Sequence, residues 1–312
     1  MEANFIQIKP YDESLGLSIL VDLYNQMSKY LNPETTIELT EELARVVLGK
    51  EIDLSQDFLI FESQQGEIIA FAGVSKLPIY KDAWVVIYGV LPDYFKSELP
   101  VKLINTVLEL GKKRNAPELL FQTLGELSAP FEERLEFLEF KPIYYSWSMY
   151  LGDLSLFSHP GIPEGIAIQN QKEIDDFKII VDVINKAFQG SFKFNPITER
   201  KWKQMQRVLR KNNIVEYCIA YENNKIVGLC DIYFNPKQEH IGLIGDLSVL
   251  PSYQHRKIGS ALLASGIEIL REKGCKTINL RVHAENEKAM GLYKKFGFYP
   301  KNNLTEKLYQ II

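Results

Sequence analysis

The stretch "VLPSYQHRKIGSALL", residues 249–263, decides how the second half of this chain folds. A run of strand-forming residues ends where it starts, and Gly259 opens a helix-forming run near its end. The first turn of a helix presents unpaired N–H groups and a partial positive charge, which together attract anions. A glycine at that point lets a ligand approach the backbone closely. The stretch is therefore either a phosphate-binding turn or an ordinary loop.

A repeat divides the chain into two similar halves. "VLPDY" at 90–94 recurs as "VLPSY" at 249–253, which is 159 residues later. Two further landmarks recur in the same order, namely "FLIFESQQGEI" (58–68) as "CIAYENNKI" (218–226) and "FLEFKP" (137–142) as "KFGFYP" (295–300). Self-similarity at a nearly constant offset predicts two copies of one fold.

Each half has the pattern of an α+β domain. Meander strands are followed by a strand–helix–strand–helix tail, which predicts a mixed sheet. The stretch 152–165 is rich in proline and glycine and predicts the join between the copies. We therefore expect domains at 1–152 and 164–312 with a linker at 153–163.

Composition and charge exclude several classes of protein. The chain has 36 Lys plus Arg against 40 Asp plus Glu, a net charge of −4, so we expect no nucleic-acid partner. The N-terminus lacks the features of a signal peptide, and the apolar run at 83–91 is too short to span a bilayer. Cys218, Cys230 and Cys275 lack metal-ligand spacing and suggest buried thiols in a reducing compartment. These observations predict a cytoplasmic protein with no metal and no membrane partner.

A second motif, "VHAENEKAMGLYKKFGF" at 282–298, also accompanies a helix. Asn286 is a good N-cap, and Gly297 is a good helix end. A structural interpretation, in which Tyr293 is simply a core residue, accounts for the motif taken alone.

Together, the two motifs resemble those of the GNAT superfamily of acetyl-CoA-dependent N-acetyltransferases. The resemblance covers roughly 164–312 and implies two tandem GNAT-like domains, each a mixed, mostly antiparallel sheet flanked by helices. It implies that the turn holds the pyrophosphate of coenzyme A and that Tyr293 protonates the departing thiolate. The residues expected to bind the coenzyme are Leu247, Ser248, Val249, Gln254, His255, Arg256, Lys257, Ile258, Gly259, Ser260, Ala261 and Asn286.

Three positions depart from the family pattern. Lys257 replaces the first glycine of the turn but keeps its backbone N–H. Many members carry a glutamate base where this chain has Arg281. Asp246 on the preceding strand is the best replacement for that base, unless it is only a solvated carboxylate. His283 is more typical of a surface residue, and a water-relayed base or no base at all is an alternative.

The first half keeps the apolar frame of the repeat but loses its chemistry. At the offset of 159, Gly259 corresponds to Pro100, which has no N–H. At 158, Asn286 and Tyr293 correspond to Ser128 and Leu135. We therefore expect a degenerate N-terminal copy beside a competent C-terminal one. This layout resembles tandem GNAT proteins such as mycothiol synthase in architecture only, and no acceptor follows from it.

The resemblance implies direct transfer of an acetyl group to a small amine or peptide amine. A binding module that senses acetyl-CoA without catalysis and a scaffold with two inactive copies are the alternatives. Acceptor contacts are expected from the segment 188–203. Its aromatic residues, including Trp202, either line a pocket or pack into the core.

Overall fold

The computed structural model of the chain describes residues 6–34, 37–49, 52–77, 80–154, 157–174, 176–212, 214–234 and 240–311. Within these ranges, helices and strands follow one another in the same order in both halves, except that the first half has one additional short helix, α3 (Leu54–Asp57), before its second strand. The helices are α1 (Leu17–Leu31), α2 (Glu41–Leu48), α3 (Leu54–Asp57), α4 (Leu99–Lys113), α5 (Ala129–Phe137), α6 (Phe177–Ala187), α7 (Glu199–Asn212), α8 (Ile258–Glu272) and α9 (Glu287–Lys295). The strands are β1 (Gln7–Pro10), β2 (Phe58–Glu62), β3 (Ile68–Ser75), β4 (Trp84–Val90), β5 (Leu119–Leu124), β6 (Pro142–Leu151), β7 (Ala167–Gln171), β8 (Ile214–Glu222), β9 (Lys225–Phe234), β10 (Ile241–Val249), β11 (Thr277–His283) and β12 (Tyr299–Gln310).

The chain forms two compact units, each of which takes its last strand from the other half of the sequence. The N-terminal unit comprises Met1–Ser146 and Asn302–Ile312, and the C-terminal unit comprises Trp147–Lys301. Within the N-terminal unit the strands lie in the order β1-β2-β3-β4-β5-β12. Within the C-terminal unit the order is β7-β8-β9-β10-β11-β6, where β6 contributes its residues 147–151. The compact units therefore differ from the predicted domains, 1–152 and 164–312, in the assignment of these last strands.

Both sheets are mixed and mostly antiparallel, as predicted. Parallel pairing joins β4 to β5 and β10 to β11, and strands β7 to β10 form an antiparallel meander. The hairpin between β8 and β9 turns at Asn223 and Asn224, whose φ angles of 48° and 63° are left-handed. Asparagine tolerates this conformation, and two such residues form the tight turn that suits a hairpin.

The repeat predicted from sequence is present in the structure. A short 3-10 turn follows β4 at Pro92–Tyr94, and an equivalent turn follows β10 at Pro251–Tyr253. Helix α8 starts 159 residues after α4, and α9 starts 158 residues after α5. The α+β fold in two tandem copies is thus confirmed.

Helix α8 is held on the sheet of the C-terminal unit by its apolar face. Leu262, Leu263, Ile267 and Leu270 are fully buried in that unit's core. Gly266 lets the helix approach closely, because a Cβ there would lie 3.1 Å from the Ile232 side chain. This packing fixes the start of α8 beside the end of β10. Within the described part of the chain, no helix has the length and apolar character needed to cross a membrane.

Candidate active site

The turn that enters α8 contains two left-handed residues. His255 and Lys257 both have φ of 63°, and Lys257 is the N-cap of the helix. An L-residue with a side chain is disfavoured in this conformation, whereas glycine adopts it freely. The geometry therefore explains why a glycine would suit position 257, and it shows that the lysine adopts the left-handed conformation there. No side chain of the described residues caps this helix start.

Gly259 is not required by the fold. It lies in the first turn of α8, and a Cβ there would meet Val249 and Leu292 at 3.8 and 3.9 Å, which is ordinary contact. Neither backbone conformation nor crowding by the protein explains a glycine at this position. What the missing side chain leaves is open space over the first N–H groups of the helix, where an anionic ligand can approach.

Strands β10 and β11 pair only over a short length and then separate. Parallel pairing joins 241–243 to 277–279, and β10 continues along β9 alone among the described strands. The N–H of Leu250 bonds to the carbonyl of Val227 at 2.9 Å, so the alternation of an antiparallel ladder turns the backbone groups of Leu247 and Val249 away from β9. These backbone groups face the other side of β10, where β11 no longer pairs with it. Gln254 Nε2 donates to the Val249 carbonyl at 3.3 Å.

A β-bulge lies at the point where the two strands separate. Ile244 pairs with Ile232 and Leu247 with Cys230, so two residues of β10 oppose Asp231 alone. In the N-terminal unit, β3 and β4 pair from Ser75–Val85 to Ala70–Val90 without any shift. Bulges bend a strand and often lie beside active sites, where they redirect a side chain. The bulge belongs to the C-terminal copy and carries Asp246.

Asp246 lies near Tyr293, so the structure brings the predicted base and acid together. Burial, followed by the nearby Cys230 and Asp246, raises the pKa of the Tyr293 phenol. Burial also raises the pKa of the half-buried Asp246 carboxyl. The Tyr293 ring packs edge-on against Phe298 with centroids 6.0 Å apart. Among the described residues its hydroxyl has no hydrogen-bond partner, which leaves the proton available to a ligand.

Asn286 is exposed at the start of α9. Its Oδ1 accepts a hydrogen bond from the Ala289 N–H at 3.1 Å, which confirms the expected cap. No side-chain partner within the described residues engages its Nδ2. The cap therefore fixes the side chain and leaves one amide donor for a ligand.

The cations of the turn differ in their surroundings. Arg256 forms an ion pair with Glu222, and its guanidinium lies 5.2 Å from the centroid of the Tyr253 ring. Lys257 is exposed and has no ion-pair partner among the described residues. Lys257 is therefore the cation that the turn offers directly at the helix start.

The N-terminal copy has a blocked helix start at the corresponding place. The N–H of Leu99 donates to Ser97 Oγ at 3.1 Å, and Pro100 has no N–H. Glu98, at the position of Lys257, forms an ion pair with Lys102 at 2.7 Å. Leu135, at the position of Tyr293, is fully buried. The two copies thus share a backbone frame but differ at these chemical positions.

Asp231 belongs to this site and sequence reasoning missed it. It is the one acidic residue within "KIVGLCDIYF", residues 225–234, and only 1% of its surface is exposed. Acidic residues are rarely buried without a partner, so an aspartate in an otherwise apolar strand is the signal that could have found it. Trp202, in contrast, is buried against Phe177 and Tyr217, with ring centroids 5.6 and 5.9 Å away, which favours packing over a pocket.

Part of the C-terminal half matches a known protein family. The acetyltransferase (GNAT) family matches residues 178–298. A candidate ribosomal protein bS18-alanine N-acetyltransferase of Bacillus subtilis (strain 168) is 29% identical over 31% of this chain. A mycothiol acetyltransferase of Paenarthrobacter aurescens (strain TC1) is 25% identical over 70% of it. The aligned segments span 66% and 67% of those two proteins.

The fold of the whole chain has a similar solved structure. A tandem GNAT protein from the clavulanic acid biosynthesis pathway matches 98% of both chains with a TM-score of 0.72 and 12% identity. That likeness concerns the fold alone. The family match, together with the open helix start and the separated strands, leads to one conclusion: residues 178–298 are an acetyltransferase domain of the GNAT family.

Proposed function

We propose that the C-terminal unit binds acetyl-CoA and transfers its acetyl group directly to a primary amine. The observation that carries this proposal is the contrast between the two helix starts. In α8 the first N–H groups are uncapped and lie next to Lys257, whereas in α4 Ser97 and Pro100 occupy or remove them. An uncapped helix start with a nearby cation suits a pyrophosphate. The N-terminal copy lacks that feature.

The residues present suit coenzyme A along its length. Backbone N–H groups from Ile258 to Ser260 would hold the pyrophosphate, with Lys257 beside them. The expected contribution of Ala261 is not through its N–H, which already donates to the Lys257 carbonyl at 3.1 Å. The backbone groups of Leu247 and the N–H of Val249, which face away from β9, would pair with the amides of the pantetheine arm as an added strand does. Asn286 Nδ2 would donate one further hydrogen bond. The buried Ser248 Oγ has no partner among the described residues, which marks a polar atom close to that edge.

The chemistry follows from Asp246 and Tyr293. Acetyl-CoA supplies an acetyl group activated as a thioester. Asp246 would accept a proton from the incoming amine, and Tyr293 would donate its proton to the sulfur. A free thiol has a pKa of about 8.5 and a tyrosine one of about 10, so transfer between them is nearly balanced. Most of the acceleration would come from positioning and from N–H groups that polarise the carbonyl.

An amine acceptor is supported by the relatives. The Bacillus subtilis protein is named for an alanine, and an aminoalkylphosphonate N-acetyltransferase of Salmonella typhimurium (strain LT2) is 32% identical over 27% of this chain. We propose a small amine or a peptide amine for this chain. A carboxylate at the bulge would attract either one as its ammonium form.

A turnover screen tests the proposal. Acetyl-CoA is incubated with the protein and a panel of peptides with free α-amino groups, amino sugars and aliphatic amines, and thiol release is followed. We expect acetylation of at least one amine, its loss in Tyr293→Phe, and its retention in the matched N-terminal variant Leu135→Met. Binding of acetyl-CoA without acetylation of any amine would favour a sensing module. Absence of binding would contradict the proposal.

A further inference from the structure

Two carboxylates meet across the bulge of the C-terminal unit. Asp231 on β9 faces the two bulge residues of β10, Gly245 and Asp246. A Cβ at position 245 would lie 2.6 Å from Asp231 Oδ1, so only a glycine allows the carboxylate this close to the bulge. Burial and then the Asp246 carboxylate raise the pKa of the Asp231 carboxyl, while the backbone of Asp246 is close enough to lower it in part. The glycine and the bulge thus bring the two acidic residues together.

Asp231 is buried and has no cation beside it. Its Oδ2 accepts a hydrogen bond from the Tyr233 hydroxyl at 2.6 Å, and its Oδ1 has no side-chain partner among the described residues. No lysine, arginine or histidine of the described chain forms an ion pair with it. A buried carboxylate in such surroundings is costly unless it holds or shares a proton.

The groups around the pair do not neutralise it. The ionisable groups that face it are Tyr217 on β8, Cys230 and Tyr233 on β9, and Tyr293 on α9. Helices α6 and α8 turn apolar side chains towards the sheet, while α7 contributes Gln206, whose Oε1 accepts from Tyr217, and Arg210, which lies 5.4 Å from the Tyr217 ring. Burial and the neighbouring Asp246 therefore raise the pKa of Asp231.

We propose that Asp231 and Asp246 form a proton-sharing carboxylate pair, in which Asp246 accepts the proton of a cationic primary amine and Asp231 acts on Asp246 as a positioning residue. The inference rests on the proposed acetyl transfer and identifies the substrate class as an amine that arrives as its ammonium ion. Asp246 is half-buried and reaches the region of Tyr293, whereas Asp231 lies behind it in the core. Repulsion between the two makes the ionised pair a stronger base than one carboxylate.

The proton balance of the step is complete. The ammonium gives one proton to the ionised pair, which then shares it. The freed nitrogen lone pair forms the C–N bond as the C–S bond breaks, and the sulfur takes the proton of Tyr293. The second nitrogen proton restores Tyr293, and the pair releases its proton to solvent. No electrons are gained or lost, and no further reactant is needed.

Replacement of Asp231 by its neutral isostere tests the pair. In Asp231→Asn, Asp246 loses its negative neighbour, so the acid limb of the kcat/KM profile should move down by about one pH unit or more. The weaker base should also lower the plateau about tenfold. The assay uses acetyl-CoA and an amine accepted in the turnover screen. Asp182→Asn is the matched control, because that exposed aspartate pairs with Lys186 at 2.7 Å on the surface of α6.

A second measurement is independent of turnover. Carboxyl carbon NMR of ¹³C-labelled protein should show two linked titrations in the wild type and one, at lower pH, in Asp231→Asn. Tyr233→Phe removes the donor to Asp231 Oδ2 and should shift the acid limb in the opposite direction, to higher pH. This second variant keeps the test valid if Asp231→Asn does not fold.

Each outcome decides the inference. If the acid limb of the kcat/KM profile stays at the same pH in Asp231→Asn while the rate falls, Asp231 is merely structural and the inference is overturned. Equal Asp246 titrations in the wild type and in Asp231→Asn would overturn it as well. If the wild type acetylates no amine but the two linked titrations appear, the proposed function and the catalytic role fail together, while the proton-sharing pair stands.

Discussion

The hydroxyl of Tyr88 donates a 2.8 Å hydrogen bond to the backbone carbonyl of Gln122 and thereby closes the opening between β4 and β5. The Tyr88 ring also packs against Phe121 and Phe131, with centroids 4.9 and 5.3 Å away. In the C-terminal unit the corresponding position, 159 residues later, is Leu247, whose backbone edge is open. The N-terminal copy has thus filled with aromatic side chains the space that the C-terminal copy leaves free. This difference supports the proposal that the C-terminal copy is the active one.

Replacement of Lys257 by glycine should stabilise the C-terminal unit. Lys257 is left-handed, with φ of 63°, and glycine removes a cost of about 1 kcal/mol for that conformation. Chemical denaturation should show this gain. Lys257→Ala is the control, because it removes the charge but keeps the strain. We expect no gain in stability and weaker acetyl-CoA binding in that variant.

Gly259→Ala should separate stability from binding. The Cβ would make only ordinary contacts, at 3.8 Å or more, and alanine favours a helix by about 0.8–1 kcal/mol over glycine. The midpoint of thermal unfolding should therefore stay level or rise, while the methyl group reduces affinity for acetyl-CoA. Gly291→Ala in α9, where a Cβ would meet nothing in the described part of the chain within 4 Å, is the matched control and should leave affinity unchanged. A fall in stability without loss of affinity at position 259 would contradict the assigned role.

Tyr293→Phe should lower turnover by about 100-fold without weakening acetyl-CoA binding. The ring keeps its packing on Phe298, and the hydroxyl has no hydrogen bond to lose among the described residues. Steady-state kinetics and calorimetry on the same preparation measure both effects. Equal losses of affinity and turnover would indicate a binding residue instead of an acid.

Folding stability should depend on pH through Asp231. Its pKa is raised in the folded chain, so the folded protein holds a proton that the unfolded chain releases near pH 3.9. This contribution is complete below about pH 4 and is lost as pH rises through the folded-state pKa. The slope approaches about 1.4 kcal/mol per pH unit for one proton. Urea unfolding at several pH values should show a shallower decline in Asp231→Asn, and an unchanged decline would count against the buried acid.

Because β12 belongs to the N-terminal unit, we expect a substitution in β12 to change the stability of that unit. Leu308 of β12 is buried in the N-terminal unit, where the neighbouring Tyr309 pairs with Phe121 of β5. Leu308→Ala should cost about 2–5 kcal/mol in the unfolding of that unit. Affinity for acetyl-CoA should stay unchanged, although position 308 lies near the C-terminus of the sequence. Proteolysis of the variant should cleave first within residues 1–146.

Local patterns were sufficient to predict the repeat, the fold class and the turn that enters α8. The repeat offset predicted equivalent elements in the two halves, and α8 indeed starts 159 residues after α4, because the same local patterns recur in both copies. The turn before α8 was predicted for the same reason, since its glycine and the helix that follows are adjacent in sequence.

Features that depend on distant partners escaped prediction. The last strands of the two halves have similar patterns, so nothing local shows that β12 pairs with β5. The bulge arises from a mismatch between β9 and β10 that only their pairing reveals. Asp231 was missed because its meaning depends on Gly245 and Asp246 across that bulge.

Calorimetric titration of acetyl-CoA into the wild type and Gly259→Pro tests the central claim most directly. The N-terminal copy already has a proline at this position of α4, so the helix tolerates it while one N–H is lost. We predict binding to the wild type, none to Gly259→Pro, and wild-type affinity in the matched variant Pro100→Gly. Equal affinity in the wild type and Gly259→Pro, or loss of affinity in Pro100→Gly alone, would contradict a coenzyme site at the start of α8.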